Sequence, residues 1–116
     1  MIEVHLKQLK FHAFHGIYPG EEITGGPFEV NLTVSYEPEK PVLTIEQTVN
    51  YVVLYEIVKQ HMQVPTGLIE TVAGNICNAV KKEFPFIKGI VIDIDKCSPP
   101  IEQFEGRTGI TLKQTY

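Results

Sequence analysis

Several features that would assign a protein to a functional class are missing from this sequence of 116 residues. Its 10 basic residues are outnumbered by 14 acidic ones, which gives a net charge of −4 and no basic surface for nucleic acid. No apolar run is long enough to cross a membrane, and no charged segment followed by an apolar one opens the chain as in a secretory signal. We therefore expect neither nucleic acid nor a membrane as a partner.

Cysteine is scarce, since only Cys77 and Cys97 are present and they do not form a C-x-x-C pair. Cys77 falls inside an apolar helical pattern, and Cys97 follows a strand pattern. Thiols placed in this way require no oxidising environment, so we expect reduced cysteines and a cytoplasmic protein.

Common cofactor and metal motifs are also absent. The chain has neither the phosphate-binding G-x-x-x-x-G-K-[ST] nor the dinucleotide-binding G-x-G-x-x-G motif, and it has no nucleophile elbow. His12 and His15 are three residues apart in a strand pattern and would point to opposite faces, while His5 and His61 are distant along the chain. We therefore expect no metal site.

Strand patterns open the chain, whose length suits a single domain spanning residues 1–116. The apolar residues of segment 2–14 change parity near Lys7–Gln8, so we predict a long strand with a β-bulge there. Residues 15–27 contain four glycines and two prolines, which predict a loop. Segment 28–36 alternates apolar and polar side chains, as does a strand with one buried face.

Helical spacing follows this second strand. Asn50 is the predicted N-cap of a first helix, and Pro65–Thr66 introduces a second helix that ends near residues 81–85, where lysines precede a proline. Two further strands are predicted at 89–96 and 107–115. The predicted element order is therefore ββααββ.

This order predicts an α+β fold in which two helices cover one face of a four-stranded antiparallel sheet. The opposite face would carry short polar side chains, and so small a sheet leaves two open edges. These features favour self-assembly into a ring, in which sheets join across subunits. A solvated outer face would explain the same alternation.

Two candidate site residues lie near the first loop and the first helix. Glu21 follows a His-Gly pair in the glycine-containing loop, and it is either a surface acid or a carboxylate held toward a cleft. Tyr51 begins the first helix, one residue after its cap. It is either a packing residue or a side chain that offers its ring to a flat ligand and its hydroxyl to proton transfer.

Two more candidates belong to the second half of the chain. Glu70 follows Ile69 at the start of the second helix, where the helix dipole alone would favour an acid. A fixed carboxylate there would also suit a ligand with two adjacent N–H donors, such as the edge of a pterin or guanine. Lys96 ends the third strand before the Pro99–Pro100 break, and it is either a solvated strand end or a base at the edge of a pocket.

Four stretches, in this order and at these separations, resemble the dihydroneopterin aldolase family: FHAFHGIYPGEE, TVNYVVLYE, LIETVAGNI and IDIDKCSPPI. The resemblance covers nearly the whole chain and implies the tunnelling fold. In that fold, ββααββ subunits form ring-shaped tetramers, often paired into octamers, with active sites between neighbouring subunits. The chain departs from the family pattern at LTIEQTVNY, where T-D-x-x-x-D is common, at Ile69–Glu70 in place of Leu-Glu, and at RTGITL.

The resemblance implies an aldehyde-lyase of folate biosynthesis that requires no metal or organic cofactor. Its pterin substrate, 7,8-dihydroneopterin, would be cleaved to 6-hydroxymethyl-7,8-dihydropterin and glycolaldehyde. By motif, Lys96 would be the acid–base residue, and Tyr51 of a neighbouring subunit would stack on the ring and donate a proton. Glu21 would orient water or the substrate tail, and Ile69–Glu70 would hold the pyrimidine edge.

Three alternatives remain open. A 2′-epimerase of dihydroneopterin, or of its triphosphate, would use the same residues by cleaving and re-forming the same bond. A metal-dependent pterin synthase would share the fold. A noncatalytic ring that binds a pterin or purine would retain Glu70 but would need Lys96 and Tyr51 less.

Overall fold

A computed structural model describes all 116 residues of the chain. One antiparallel sheet has the strand order β1-β2-β3-β4, formed by β1 (Ile2–Ala13), β2 (Gly26–Tyr36), β3 (Gly89–Lys96) and β4 (Thr108–Thr115). The helices are α1 (Glu21–Thr24), α2 (Tyr51–Met62) and α3 (Ile69–Glu83). The predicted α+β class and four-stranded antiparallel sheet are confirmed, and α1 is an additional short helix.

β1 contains the predicted bulge. Its pairing with β2 runs to Leu6 opposite Leu32 and resumes at Leu9 opposite Val30. Between them Gln8 has a φ of 57°, and its N–H donates to the side chain of Asn31 over 2.8 Å. The extra residue lets both halves of β1 direct apolar side chains toward the core, although their parities differ.

The core lies between one face of the sheet and the helices α2 and α3. The alternate apolar residues of β2 are all buried, as the pattern predicted: Phe28, Val30, Leu32, Val34 and Tyr36. Helix α2 adds three buried side chains and α3 adds six to the same cluster. Since both helices cover this face, the polar residues of β2 lie on the other one.

The starts of α2 and α3 fix two of the candidate residues. The Asn50 side chain accepts a hydrogen bond from the Val52 N–H over 3.0 Å, so Asn50 is the predicted cap and Tyr51 is the first helical residue. Helix α3 begins at Ile69 and carries Glu70 in its first turn. The side-chain cap therefore fixes the position of Tyr51, whereas α3 begins without a side-chain cap.

Two short segments differ from the sequence prediction. Residues 15–27 were predicted to be loop throughout, but they contain α1 and the first residues of β2. Gly20 at φ 95° and Gly25 at φ 65° flank α1 in left-handed conformations that glycine adopts without strain. A 3₁₀ turn at Ile45–Gln47 lies in the connection before α2. Elements this short have no measurable periodicity, so the pattern missed them.

The edges of the sheet are β1 and β4, each of which pairs with only one strand of the chain. Polar side chains meet across the outer face, where Glu29 accepts from Arg107 over 2.7 Å and from Lys10 over 3.1 Å. The hydrogen bond from Lys10, and to a smaller extent that from Arg107, lowers the pKa of Glu29. None of the helices has the length and apolar character needed to cross a membrane.

Candidate active site

A lysine–carboxylate pair lies at the end of β3. The Nζ atom of Lys96, the last residue of that strand, lies 3.0 Å from Oε2 of Glu21, the first residue of α1. The two side chains are only 15% and 16% exposed. Solvent therefore screens their attraction less than that of an ordinary surface pair. Lys96 is not a solvated strand end in this arrangement.

Local backbone geometry helps to fix the Glu21 carboxylate. The Tyr18 N–H donates to its Oε1 over 3.1 Å, so each carboxylate oxygen has a donor. The tight turn that supplies this N–H also leads directly into α1. The loop therefore presents one carboxylate to the end of β3 rather than to bulk solvent.

Two cavities meet at Lys96. The first, which we call the Glu21 cavity, has a volume of about 240 Å³ and includes His15, Glu21, Thr24, Phe28, Lys96 and Ser98 in its wall. The second, the Glu70 cavity, has a volume of about 300 Å³ and includes Ile17, Leu68, Ile69, Glu70, Lys96 and Ile110. Lys96 thus lines both a polar cavity and a largely apolar one.

Glu70 supplies free hydrogen-bond acceptors to the Glu70 cavity. Its side chain is exposed and forms no hydrogen bond or ion pair within the chain, whereas the preceding Ile69 is only 7% exposed. A buried residue therefore holds the helix start in place, and the carboxylate remains free. This arrangement suits a flat ligand whose edge carries two N–H donors.

Tyr51 lies apart from these residues. Its side chain is 62% exposed at the start of α2 and lines neither of the two cavities. A single chain therefore brings together Glu21, Lys96, Ile69 and Glu70, but not Tyr51.

His15 is a residue of this region whose role the sequence did not indicate. It is 1% exposed in the wall of the Glu21 cavity, and its ring packs edge-on against Phe28 with centroids 5.3 Å apart. Burial and then the positive charge of Lys96 lower the pKa of His15, which favours the neutral imidazole. Neither ring nitrogen has a hydrogen-bond partner. The nearby backbone of Met62 raises the pKa of His15, but by less than burial and Lys96 lower it. The only sequence feature that could have drawn attention to His15 is its position just before Gly16, in the His-Gly pair that precedes Glu21.

The structure contains neither a disulfide nor a grouped set of metal ligands. No three His, Cys, Asp or Glu side chains are arranged to hold a metal ion. His5 contacts the Thr33 hydroxyl at 2.8 Å, and His12 contacts the Thr24 carbonyl at 3.1 Å. Both cysteines are free, and burial raises the pKa of Cys77 to about 11.

A shielded lysine–carboxylate pair between a polar and an apolar cavity is an arrangement typical of an enzyme that acts on a small molecule. The family model FolB, dihydroneopterin aldolase, matches residues 4–113. The chain therefore belongs to the dihydroneopterin aldolase family, a family of aldehyde-lyases with the tunnelling fold, and the resemblance inferred from the sequence is confirmed.

Individual relatives agree with this assignment. A dihydroneopterin aldolase of Bacillus subtilis is 32% identical over 104 residues, which cover 87% of each chain. The structure of E. coli dihydroneopterin aldolase in complex with neopterin superposes with a TM-score of 0.85 at 18% identity, over 98% of this chain and 99% of that one. The structure of a dihydroneopterin aldolase from a Burkholderia species, bound to guanine, superposes with a TM-score of 0.71 at 13% identity, over 99% of this chain and 91% of that one. The two structures demonstrate the shared fold.

Proposed function

We propose that this chain cleaves 7,8-dihydroneopterin by a retro-aldol reaction into 6-hydroxymethyl-7,8-dihydropterin and glycolaldehyde. The proposal rests chiefly on the location of the Lys96–Glu21 pair, between a polar cavity and a cavity that contains a free carboxylate. A substrate with a flat ring and a hydroxylated tail needs both environments next to one base. The E. coli relative with bound neopterin and the Burkholderia relative with bound guanine support a ligand of this chemical class.

Glu70 and Ile69 hold the ring in this proposal. The Glu70 carboxylate accepts two hydrogen bonds from the adjacent N–H donors of the pyrimidine edge, and the backbone beside Ile69 provides further contacts. Apolar side chains of the Glu70 cavity, such as Ile17 and Ile110, pack on the ring faces. The hydroxylated tail then extends toward Lys96 and the Glu21 cavity.

Lys96 moves the protons. Its amine accepts the proton of the 2′-hydroxyl while the C1′–C2′ bond breaks, and glycolaldehyde leaves with a new C=O bond. The electrons of the broken bond form a C1′=C6 double bond and those of C6=N5 move to N5, so no Schiff base is needed. In the resulting enol-like intermediate C1′ then takes up a proton, with the help of Tyr51, and C6=N5 re-forms to complete the product. Glu21, 3.0 Å from the lysine, holds the amine and the substrate tail.

Tyr51 contributes from a neighbouring subunit, so the active form is a ring of identical chains, either a tetramer or an octamer. This is supported by the open edges of β1 and β4 and by the 62% exposure of Tyr51 outside both cavities. Apolar side chains at the rim of the Glu70 cavity also remain exposed, at 65% for Ile17 and 49% for Leu68. A neighbouring chain that covered them would complete the pocket.

Product analysis tests the reaction. Incubation with 7,8-dihydroneopterin at neutral pH should give equal amounts of the two cleavage products by chromatography, and Lys96→Ala should form both at least about 100-fold more slowly. Dihydromonapterin as the main product would instead indicate a 2′-epimerase, and neopterin binding without turnover would indicate a binding protein. Metal analysis of the same active preparation tests the metal-dependent alternative, which requires stoichiometric zinc.

Complementation tests the shared site. Tyr51→Phe and Lys96→Ala should each be inactive alone. Mixed rings of the two should recover part of the activity, because some interfaces then pair two intact residues. A monomer with full activity in size-exclusion chromatography with light scattering would contradict the ring proposal.

A further inference from the structure

Gly16 lies directly against the carboxylate of Glu21. A methyl group placed on its Cα would lie 2.6 Å from Oε2 of Glu21, and closer still to Oε1 and Cδ. These are the three nearest heavy atoms, and a real Cβ atom essentially never approaches another atom to less than 3.0 Å. The carboxylate therefore occupies the space that any side chain at position 16 would need.

The φ angle at residue 16 does not explain why this residue is a glycine. The glycines with positive φ are Gly20, Gly25 and Gly106, and Gly16 is not among them. The φ angle of residue 16 therefore does not by itself require glycine. The constraint at this position is the space taken by the Glu21 side chain.

The backbone of Gly16 is also tied to the segment that leads into α3. Its N–H donates to the Thr66 carbonyl over 3.0 Å, and a Cβ at Gly67 would lie 3.3 Å from the neighbouring Ile17 side chain. The backbone of residue 16 therefore cannot easily shift to make room for an added methyl group. The Glu21 side chain is flexible and would move instead.

We propose that Gly16 is a positioning residue for the reaction: its lack of a side chain lets the Glu21 carboxylate lie where it contacts Lys96. A Gly16→Ala substitution displaces the carboxylate and breaks the 3.0 Å contact while the fold is kept. The consequence for turnover rests on the proposed function. The position of the carboxylate can be measured without turnover.

A double-substitution cycle tests the effect on activity. Gly16→Ala should lower kcat to the level of Glu21→Ala, on the order of 100-fold for a displacement of about 1 Å. The Gly16→Ala/Glu21→Ala variant should be no less active than Glu21→Ala alone, because the methyl group then has no carboxylate to displace. Gly74→Ala is the matched control and should keep normal activity, since beyond the adjoining residues of its own helix no heavy atom lies within 4 Å of its added Cβ. A kcat of Gly16→Ala within about twofold of normal, or additive losses, would overturn the proposal.

Acylation of the Lys96 amine gives a readout that is independent of turnover. The Glu21 carboxylate holds the Lys96 amine and shields it, so loss of this contact should raise the rate at which a small acylating reagent labels Lys96. Peptide mass spectrometry should show this rise in Gly16→Ala and Glu21→Ala but not in Gly74→Ala, with exposed Lys113 as the internal reference. An unchanged rate at Lys96 in Gly16→Ala overturns the proposal. A raised rate supports it even if the unsubstituted protein does not cleave dihydroneopterin, in which case only the proposed function fails.

Stability measurements cover the case in which Gly16→Ala does not fold. The double variant lacks the overlapping carboxylate, so it should be as stable as Glu21→Ala in urea denaturation. Recovery of folding in the double variant supports the overlap. A double variant that remains unfolded overturns it.

Discussion

Glu70→Ala and Lys96→Ala should separate ligand binding from turnover. Glu70 has no hydrogen-bond or ion-pair partner within the chain, so its truncation costs the subunit only the favourable interaction of an acid with the start of α3. Its effect should therefore fall on the ligand. Lys96 lies beside the substrate tail in our proposal, so its loss should affect the chemical step.

The proposed contacts set the size of the two effects. In our proposal, loss of the Glu70 carboxylate removes two charge-assisted hydrogen bonds to the ligand, each worth about 1.5–3 kcal/mol. At about 1.4 kcal/mol for each factor of ten, the affinity for the pterin ring should fall by about two orders of magnitude or more. Lys96→Ala should leave that affinity within about tenfold of normal, while turnover falls by about 10²–10⁴-fold, the usual contribution of an acid–base residue.

Calorimetric titration with neopterin measures the first quantity, and product formation measures the second. Glu70→Gln keeps the size of the side chain but only one suitable acceptor. Its affinity for neopterin should therefore lie between that of the unsubstituted protein and that of Glu70→Ala. Lys113→Ala, on the exposed edge strand β4, should change neither quantity by more than about twofold. Affinity of Glu70→Ala within tenfold of normal would show that the ring is held elsewhere. Near-normal turnover of Lys96→Ala would refute the lysine mechanism.

Three further predictions concern the fold and its pH dependence. The pKa of His15 is lowered from 6.5, so the unfolded chain takes up a proton that the folded chain does not as the pH falls below 6.5. The free energy of unfolding in urea, at fixed protein concentration, should therefore reach its full value above pH 6.5 and decline below it. His15→Gln should reduce this decline, whereas the exposed His5→Gln should not. An unchanged decline in His15→Gln would refute the link between the His15 pKa and stability. Asn50→Ala should lower the free energy of unfolding by about 1 kcal/mol through loss of the α2 cap, whereas Asn50→Asp should retain it. Leu54→Ala, at a fully buried site, should cost about 2–5 kcal/mol, and a cost below that of Asn50→Ala would contradict the assigned packing.

The sequence by itself determined the elements whose patterns are local. The alternation in β2, the change of parity in β1 and the cap at Asn50 each depend on residues a few positions apart, and the structure agrees with all three. These patterns reflect which side of a strand or helix is buried, a property that backbone geometry fixes at short range. They predicted the order and class of the fold, whereas the choice of Lys96 and Glu70 among the charged residues also required the family resemblance.

Only the tertiary structure decided which side chains meet. Glu21 and Lys96 are 75 positions apart, and their contact depends on the turn before α1 and on the pairing of β2 with β3. The burial of His15 and the space that Gly16 leaves for a carboxylate likewise arise from packing between distant segments. No periodicity records such contacts, because a local pattern specifies the direction of a side chain and not the group that it will face.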